Sequence, residues 1–262
     1  MRRLGFITDV HADVHALQDA LRELDRLGCD PIVCGGDVVD YGLFPEETLA
    51  LLRRRKIPCV RGNHDRWMAA RWRADEPDDL DDDNDADAED AEDAADAEDA
   101  EDASGSDLSP ESLRYLAERP LAWDAILEDV DVAVRHGSPR GEMYGIVEAI
   151  SLPDARRHLE KAEAEVPLVG HSHRAFVLEL PAGALIANPG ALLRDPAEDF
   201  RQRAMLYDPG TGKFVAEDAL PTPGTFGVLE LPSKRFTVHR AKDGVEVDVP
   251  RVTLGIMSSR RP

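Results

Sequence analysis

The chain has 262 residues, of which 42% are hydrophobic, enough to bury a sizeable core in one domain or two. No run of 18 or more apolar residues occurs, which argues against a helical membrane span, and MRRLGFITDV lacks the apolar stretch and small-residue cleavage site of a secretory signal. The net charge of −22 is local: residues 75–107 hold 19 of the 53 acidic residues and no Lys or Arg, so the remaining 34 face 31 basic ones.

In chain order, the first predicted element is a buried strand over 4–9, LGFITD. A helix follows over 15–27, with Leu17, Ala20, Leu21, Leu24 and Leu27 on one face. Asp13 is either its cap or a residue facing the mouth of a site. PIVCGGD (31–37) reads as a second strand. Pro45 to Arg55 reads as a helix, with Pro and two Glu at its start and three Arg at its end. IPCVRG is predicted as a third strand. Strand and helix alternating at this spacing argue for a parallel α/β layer.

The acidic run 75–107, with its AEDAEDAADAEDAEDA core, has no apolar periodicity and reads as a disordered or weakly helical insertion. A loop expansion of that kind costs little. The alternative is a tail that docks on basic surface or gathers cations, with Arg66, Arg71 and Arg73 just upstream. Beyond it, Ser109-Pro110-Glu111 starts a helix that must stop before Pro120. A strand through 131–136, a capped helix from Ser151 to about 164 and a strand over 166–170 come next. From Arg174 onward, apolar stretches alternate with turn signals, as in antiparallel strands. The whole is predicted to be one domain, 1–262, with two sheet regions sandwiched by helices. Cys29, Cys34 and Cys59 are odd in number, in no zinc-type spacing and beside apolar segments, the pattern of reduced, buried thiols in a cytoplasmic protein.

Strand after strand ends in Asp, Asn or His. Asp9 and His11 follow the first, Asp37 follows Gly35-Gly36 after the second, and Asn63 and His64 follow the third. His136 ends the strand DVAVRH, and His171 and His173 follow VPLVG. Ligands of α/β sheets bind beyond the carboxyl ends of the strands. Each of these residues alone is an ordinary turn, cap or satisfied polar group. Together they form an ordered series that chance explains poorly.

The blocks TDVHAD, CGGDVVDYG, VRGNHD, VRHGSP and VGHSHRA, with LIANPGA after them, resemble the calcineurin-like metallophosphoesterase superfamily over roughly residues 1–210, the acidic insertion left out. The likeness is to its compact prokaryotic phosphodiesterases, which include relatives of diadenosine tetraphosphate hydrolases. It implies an α/β fold, a four-layer α/β/β/α sandwich. It also implies two metal sites, one held by Asp9, His11, Asp37 and His173, the other by Asp37, Asn63, His136 and His171, with Asp37 as the bridge. Imidazole mixed with carboxylate suits two divalent transition-metal ions, Mn²⁺ first, with Fe²⁺, Ni²⁺ or Zn²⁺ as alternatives. In the resembling family a metal-bridging hydroxide attacks phosphorus, the position of His64 assists the leaving group and that of Asp40 orients the histidine. Asp65 has no such task and is expected to start the next helix.

Departures narrow the substrate. Protein serine/threonine phosphatases carry GDxVDRG, where Tyr41 here replaces the arginine. Purple acid phosphatases carry a tyrosine ligand where Asp40 stands. Ala12-Asp13 replaces Gly-Asn, and Ala191 replaces the serine that commonly follows NPG. Arg140 and Tyr144 lie on a loop near a ligand and either contact substrate or face solvent. His15 is a possible neighbour of the first site, while His158 and His239 are expected to be structural or solvent-facing.

The expected substrate is a small phosphodiester, with a phosphomonoester or nucleotide left open. The alternatives are a diadenosine-polyphosphate-type hydrolase, a nuclease of the same superfamily and a non-enzymatic metal-dependent scaffold. The acidic run disfavours tight nucleic-acid binding. The C-terminal strands from about 225 are expected to extend the second sheet or form an oligomer contact, and the oligomeric state is left open.

Overall fold

A computed structural model of the chain describes residues 1–74, 108–194, 205–208, 213–216 and 224–255. The acidic run 75–107 lies outside the described residues. Strand β1 (Arg2–Ile7) is buried on both faces from Leu4 onward, which is why it reads as a continuous apolar run and not an alternating one. It pairs in parallel with β2 (Ile32–Cys34) and antiparallel with β10 (Thr225–Leu231). Strands β11 (Arg235–Arg240) and β12 (Glu246–Val247) complete a five-stranded sheet in the order β12-β11-β10-β1-β2.

The second sheet has six strands. Its order is β13 (Arg251–Thr253), β6 (Ala175–Glu179), β7 (Leu185–Pro189), β5 (Val166–Leu168), β4 (Val130–Val134) and β3 (Trp123–Leu127). A separate pair joins β8 (Met205–Asp208) to β9 (Lys213–Ala216).

Helix α1 (Val14–Arg26) turns Ala16, Leu17, Ala20, Leu21 and Leu24 inward. The Asp13 carboxylate caps it by accepting from the Ala16 N–H at 2.8 Å. It is also held by Arg194 at 2.9 Å, so Asp13 is a cap and a tether. Helix α2 (Pro45–Arg55) has the charge gradient expected from its sequence. Helix α3 (Asn63–Ala74) follows, then α4 (Pro110–Ala117), capped by Ser109, and α5 (Leu152–Ala162), capped by Ser151.

Three apolar clusters define the layers. One joins Leu17, Leu21 and Leu24 of α1 and Leu49 and Leu52 of α2 to Ile7, Cys34 and Phe226 of the first sheet. A second lies between the sheets and joins Leu4, Phe6 and Phe236 to Val132, Val134, Val166 and Val177. The third joins Phe176, Leu178 and Ile186 to Ala155 of α5. The order is helix, sheet, sheet, helix, the four-layer α/β/β/α sandwich. All three cysteines are buried and unbridged. Among the described residues no helix is long and apolar enough to cross a membrane.

The sequence reading needs three corrections. The predicted third strand shrinks to a single bridge between Cys34 and Cys59. Cys34 and Val60 each make one ladder bond there, but the next donor, the Arg61 N–H, turns away to the Pro120 carbonyl at 2.8 Å. The hairpin strand β3 was not anticipated, because its outward face carries Ile126, 72% exposed, beside Asp124, which breaks the apolar–polar alternation. Of the C-terminal strands, β10 to β12 extend the first sheet and only β13 joins the second.

Candidate metal centre

All the predicted site residues meet at the carboxyl ends of the parallel strands. The loop after β1 is laid on the loop after β2: the amides of Asp9, His11 and Ala12 donate to the carbonyls of Gly36, Asp37 and Val38 at 2.8–3.0 Å. The loop after β5 is then tied across the gap between the sheets, with the His171 N–H 3.1 Å from the Asp9 carboxylate. Asn188, in the NPG turn, holds that loop from behind by donating to the Gly170 carbonyl at 2.9 Å and to Ser172 at 3.1 Å.

Five of the seven candidate ligands, Asp9, His11, Asp37, His171 and His173, have φ between 46° and 65°. Side chains other than glycine seldom adopt that region, and each such residue costs about 1–3 kcal/mol. The surrounding hydrogen bonds hold them there. Two glycines allow the loops to close. A Cβ on Gly62 would stand 2.1 Å from Oδ1 of Asp37, and one on Gly170 would stand 2.7 Å from Oδ2 of Asp9.

Two clusters result. Asp9, His11 and His173 form one, and Asp37, His136 and His171 the other, each with its ligand atoms within 4.8 Å of one another. Asp37 faces both: its Oδ2 is 3.1 Å from His136 Nε2 and 3.8 Å from His11 Nε2. Asn63 belongs to the second cluster, its amide oxygen 2.9 Å from His136 Nε2 and 3.0 Å from His171 Nδ1. Asp9, His11, Asp37, Asn63 and His136 are all buried.

The donor chemistry fits divalent ions. His11 donates Nδ1–H to the Val39 carbonyl at 3.1 Å, and His136 donates Nδ1–H to the Gly35 carbonyl at 2.9 Å. Each bond fixes the tautomer that turns a bare Nε2 inward when the ring is neutral. Nε2 of His11 then lies 3.1 Å from Nε2 of His173. Lone pairs aimed at one another at this distance repel unless a proton or a cation lies between them.

The electrostatics agree. Burial pushes His11 down to about 3 and His171 down to about 4, so both are neutral donors at pH 7. Burial also opposes a charge on His136, yet the Asp37 carboxylate overrides it and lifts His136 to about 10. Asp37 itself, despite burial, is held well below the usual carboxylate range by the facing imidazoles, His136 first. The centre therefore calls for positive charge beside Asp37.

His64 stands next to the clusters but outside both. Its Nδ1 is 2.8 Å from Oδ2 of Asp40, and its Nε2 is 3.2 Å from the Tyr41 hydroxyl. Burial works against its charged form, but Asp37 and Asp40 outweigh burial and raise its pKa. Trp67 packs edge-on against the ring, with centroids 4.7 Å apart.

Asp65 is more than the start of a helix. It lies in the first turn of α3 and is fully buried. Its Oδ1 accepts from the Val38 N–H at 2.9 Å, and its Oδ2 accepts from the Gly62 N–H at 3.0 Å. The carboxylate thus staples the loop carrying Asp37 to the loop carrying Asn63. Burial, and then the charge of Asp37, push it up to about 6. A carboxyl three residues into a helix reaching back to the capping amide is a readable signal; the second tie, to a loop 27 residues away, is not.

Other expectations resolve simply. His15 is exposed and packs against Phe44, with ring centroids 5.3 Å apart. His158 is buried on α5, and His239 is buried and bonded to Thr237 at 2.9 Å. Arg140 and Tyr144 are both exposed, the guanidinium 5.6 Å from the ring centroid.

Comparison with known proteins points to one family and fold. A family model described as calcineurin-like phosphoesterase matches residues 2–175. An uncharacterized protein of Methanocaldococcus jannaschii is 25% identical over 209 residues, 79% of this chain and 75% of that one. The crystal structure of a metallophosphoesterase from Sphaerobacter thermophilus superposes with a TM-score of 0.54 at 25% identity, covering 95% of this chain and 89% of that one. A hypothetical protein from Pyrococcus horikoshii superposes with a TM-score of 0.58 at 14% identity, with the same coverage, and shares the fold.

Proposed function

The chain belongs to the calcineurin-like phosphoesterase family, and on that footing we propose that it is a binuclear, metal-dependent phosphodiesterase acting on small phosphodiester substrates. The observation that carries the reading is the position of Asp37, whose one carboxylate oxygen faces an imidazole of each cluster, His136 at 3.1 Å and His11 at 3.8 Å. Asp9, His11, Asp37 and His173 would hold one divalent ion, and Asp37, Asn63, His136 and His171 the other. When bound, such ions supply positive charge for the phosphoryl oxygens and make a water acidic enough to attack at neutral pH. Mn²⁺ is the first candidate, with Fe²⁺, Ni²⁺ and Zn²⁺ as alternatives.

The protein's own residues do the rest. His64 presents Nε2 toward the centre and gives its proton to the departing oxygen as the phosphorus–oxygen bond breaks. Asp40 accepts from Nδ1–H and favours the doubly protonated ring, the form in which Nε2 has a proton to give. Asp65 keeps the two loops in register without touching the reacting atoms. Arg53 and Arg55, two of the three arginines at the end of α2, are paired with Glu111 and Asp25. That pairing favours a small substrate over a polyanion.

The test is to count metal and turnover together. Wild-type protein supplied with Mn²⁺ should bind two ions per chain and cleave bis(p-nitrophenyl) phosphate, and chelation should abolish both. Full turnover by chelated protein would sink the reading, and one ion per chain at saturation would sink its binuclear part.

A further inference from the structure

We propose that Tyr41 is a positioning residue for this reaction: its hydroxyl partners Nε2 of His64 and marks where the departing oxygen of the substrate sits. The inference rests on the assignment of His64 as proton donor. Asp40 and Tyr41 are neighbours in sequence, yet they reach opposite nitrogens of the same ring, at 2.8 Å and 3.2 Å.

The backbone is bent to make this possible. Asp40 and Tyr41 have φ of 76° and 61°, and the Asp40 side chain accepts from the Tyr41 N–H at 2.8 Å. Gly42, next in line, lies so close to the loop after β1 that a Cβ there would stand 2.2 Å from the His11 carbonyl oxygen. Two consecutive residues in the left-handed region need a compensating reason, and the clamp on His64 supplies one. The Tyr41 ring itself is fixed. It packs on Ala191 and Leu193 and lies 4.7 Å from the rings of both His11 and His64.

A phenol suits this place because it both donates and accepts. While Nε2 carries its proton, the Tyr41 oxygen accepts it. When the departing oxygen takes that proton and leaves as an alcohol or phenol, the Tyr41 O–H donates to the bare Nε2. The proton lost by the attacking water then restores His64, so atoms and charge balance over the turnover. The Tyr41 oxygen stands 3.2 Å from Nε2, the position a leaving oxygen must share.

Tyr41→Phe keeps the ring and its packing while removing the oxygen. The probes are the phenyl and p-nitrophenyl esters of thymidine monophosphate, which differ in how much their leaving groups need a proton. With the phenyl ester kcat should fall about 10-fold with KM nearly unchanged; with the p-nitrophenyl ester the loss should be slight. In metal-free protein, where turnover plays no part, the ¹⁵N resonance of His64 Nε2 should move between wild type and Tyr41→Phe.

In a His64→Gln background Tyr41→Phe should add no further loss. An unchanged resonance, or equal losses on the two esters, would overturn the inference. If His64→Gln impairs the phenyl ester and Tyr41→Phe does not, the role of Tyr41 fails alone. If His64→Gln is itself as fast as wild type on that ester, the assignment of His64 fails and this inference with it.

Discussion

The loops after β1 and β2, with the segment bridged to β2 at Cys59, bring Asp9, His11, Asp37 and Asn63 to the centre, whereas those leaving the second sheet bring only imidazoles, His136, His171 and His173. Both carboxylates, and the histidine outside the clusters, stand on one side. Each cluster is nevertheless mixed: Asp9 and His11 meet His173, and Asp37 and Asn63 meet His136 and His171. The first sheet's side supplies both carboxylates, which would draw cations, and the second supplies imidazoles that would complete the coordination. Buried carboxylates need many partners, and the first sheet's loops provide them: Asp37 Oδ1 accepts from the His64 N–H at 3.0 Å, and Asp65 braces the loop behind it.

That inequality can be tested, starting with the largest effect. Asp37→Ala should lower kcat by at least about 10²-fold and strip metal from both positions, because it removes charge from both clusters at once. His171→Ala, which removes a neutral donor, should cost less, about 10–100-fold, and leave one ion bound. Equal losses in turnover and metal count would break the comparison.

Asp65→Ala separates bracing from binding. It leaves the Val38 and Gly62 amides without their partner and should destabilise the fold by about 2–4 kcal/mol. Thermal unfolding reads this directly, and an unchanged midpoint would make the staple irrelevant. Asp40→Asn should slow esters with poor leaving groups about 10-fold while sparing activated ones, with metal content intact.

The smallest effect belongs to Asp13, far along the first-sheet loop. Burial tends to raise its pKa, but bonds from Arg194 and the Ala16 N–H win and lower it below the usual 3.8. A carboxyl depressed in the folded state stabilises fully above its unfolded pKa and loses that contribution as pH falls through the folded value. Asp13→Asn should therefore cost about 1 kcal/mol at neutral pH and nothing in strong acid. A cost that persists in acid would assign the effect to packing.

Much of the site was legible because its residues follow strands whose apolar runs are easy to read. Asp9, His11, Asp37, Asn63, His136, His171 and His173 all stand at such ends, and the family resemblance ordered them into two groups. What escaped was of a different kind. Tyr41 registered only as the absence of an arginine, Asp65 only as a helix start and Asn188 only as part of a motif. Each acts through a partner distant in sequence: Tyr41 through His64, Asp65 through Val38 and Asn188 through Gly170. Hydrophobic period carries no record of such pairs. The same limit explains the C-terminal strands, whose alternation announces a sheet without saying which one.

The sequence by itself determined the layer order, the strand ends and the chemical types gathered there, because burial pattern and residue type are local properties. Only the tertiary structure decided which imidazole faces which carboxylate, which ring nitrogen is turned inward and which acids brace the loops. Those outcomes depend on hydrogen bonds between segments far apart in sequence, such as Val38 with Asp65, 27 residues apart, and His171 with Asp9, 162 apart. No local pattern encodes such pairs, because they exist only once the fold has brought the segments together.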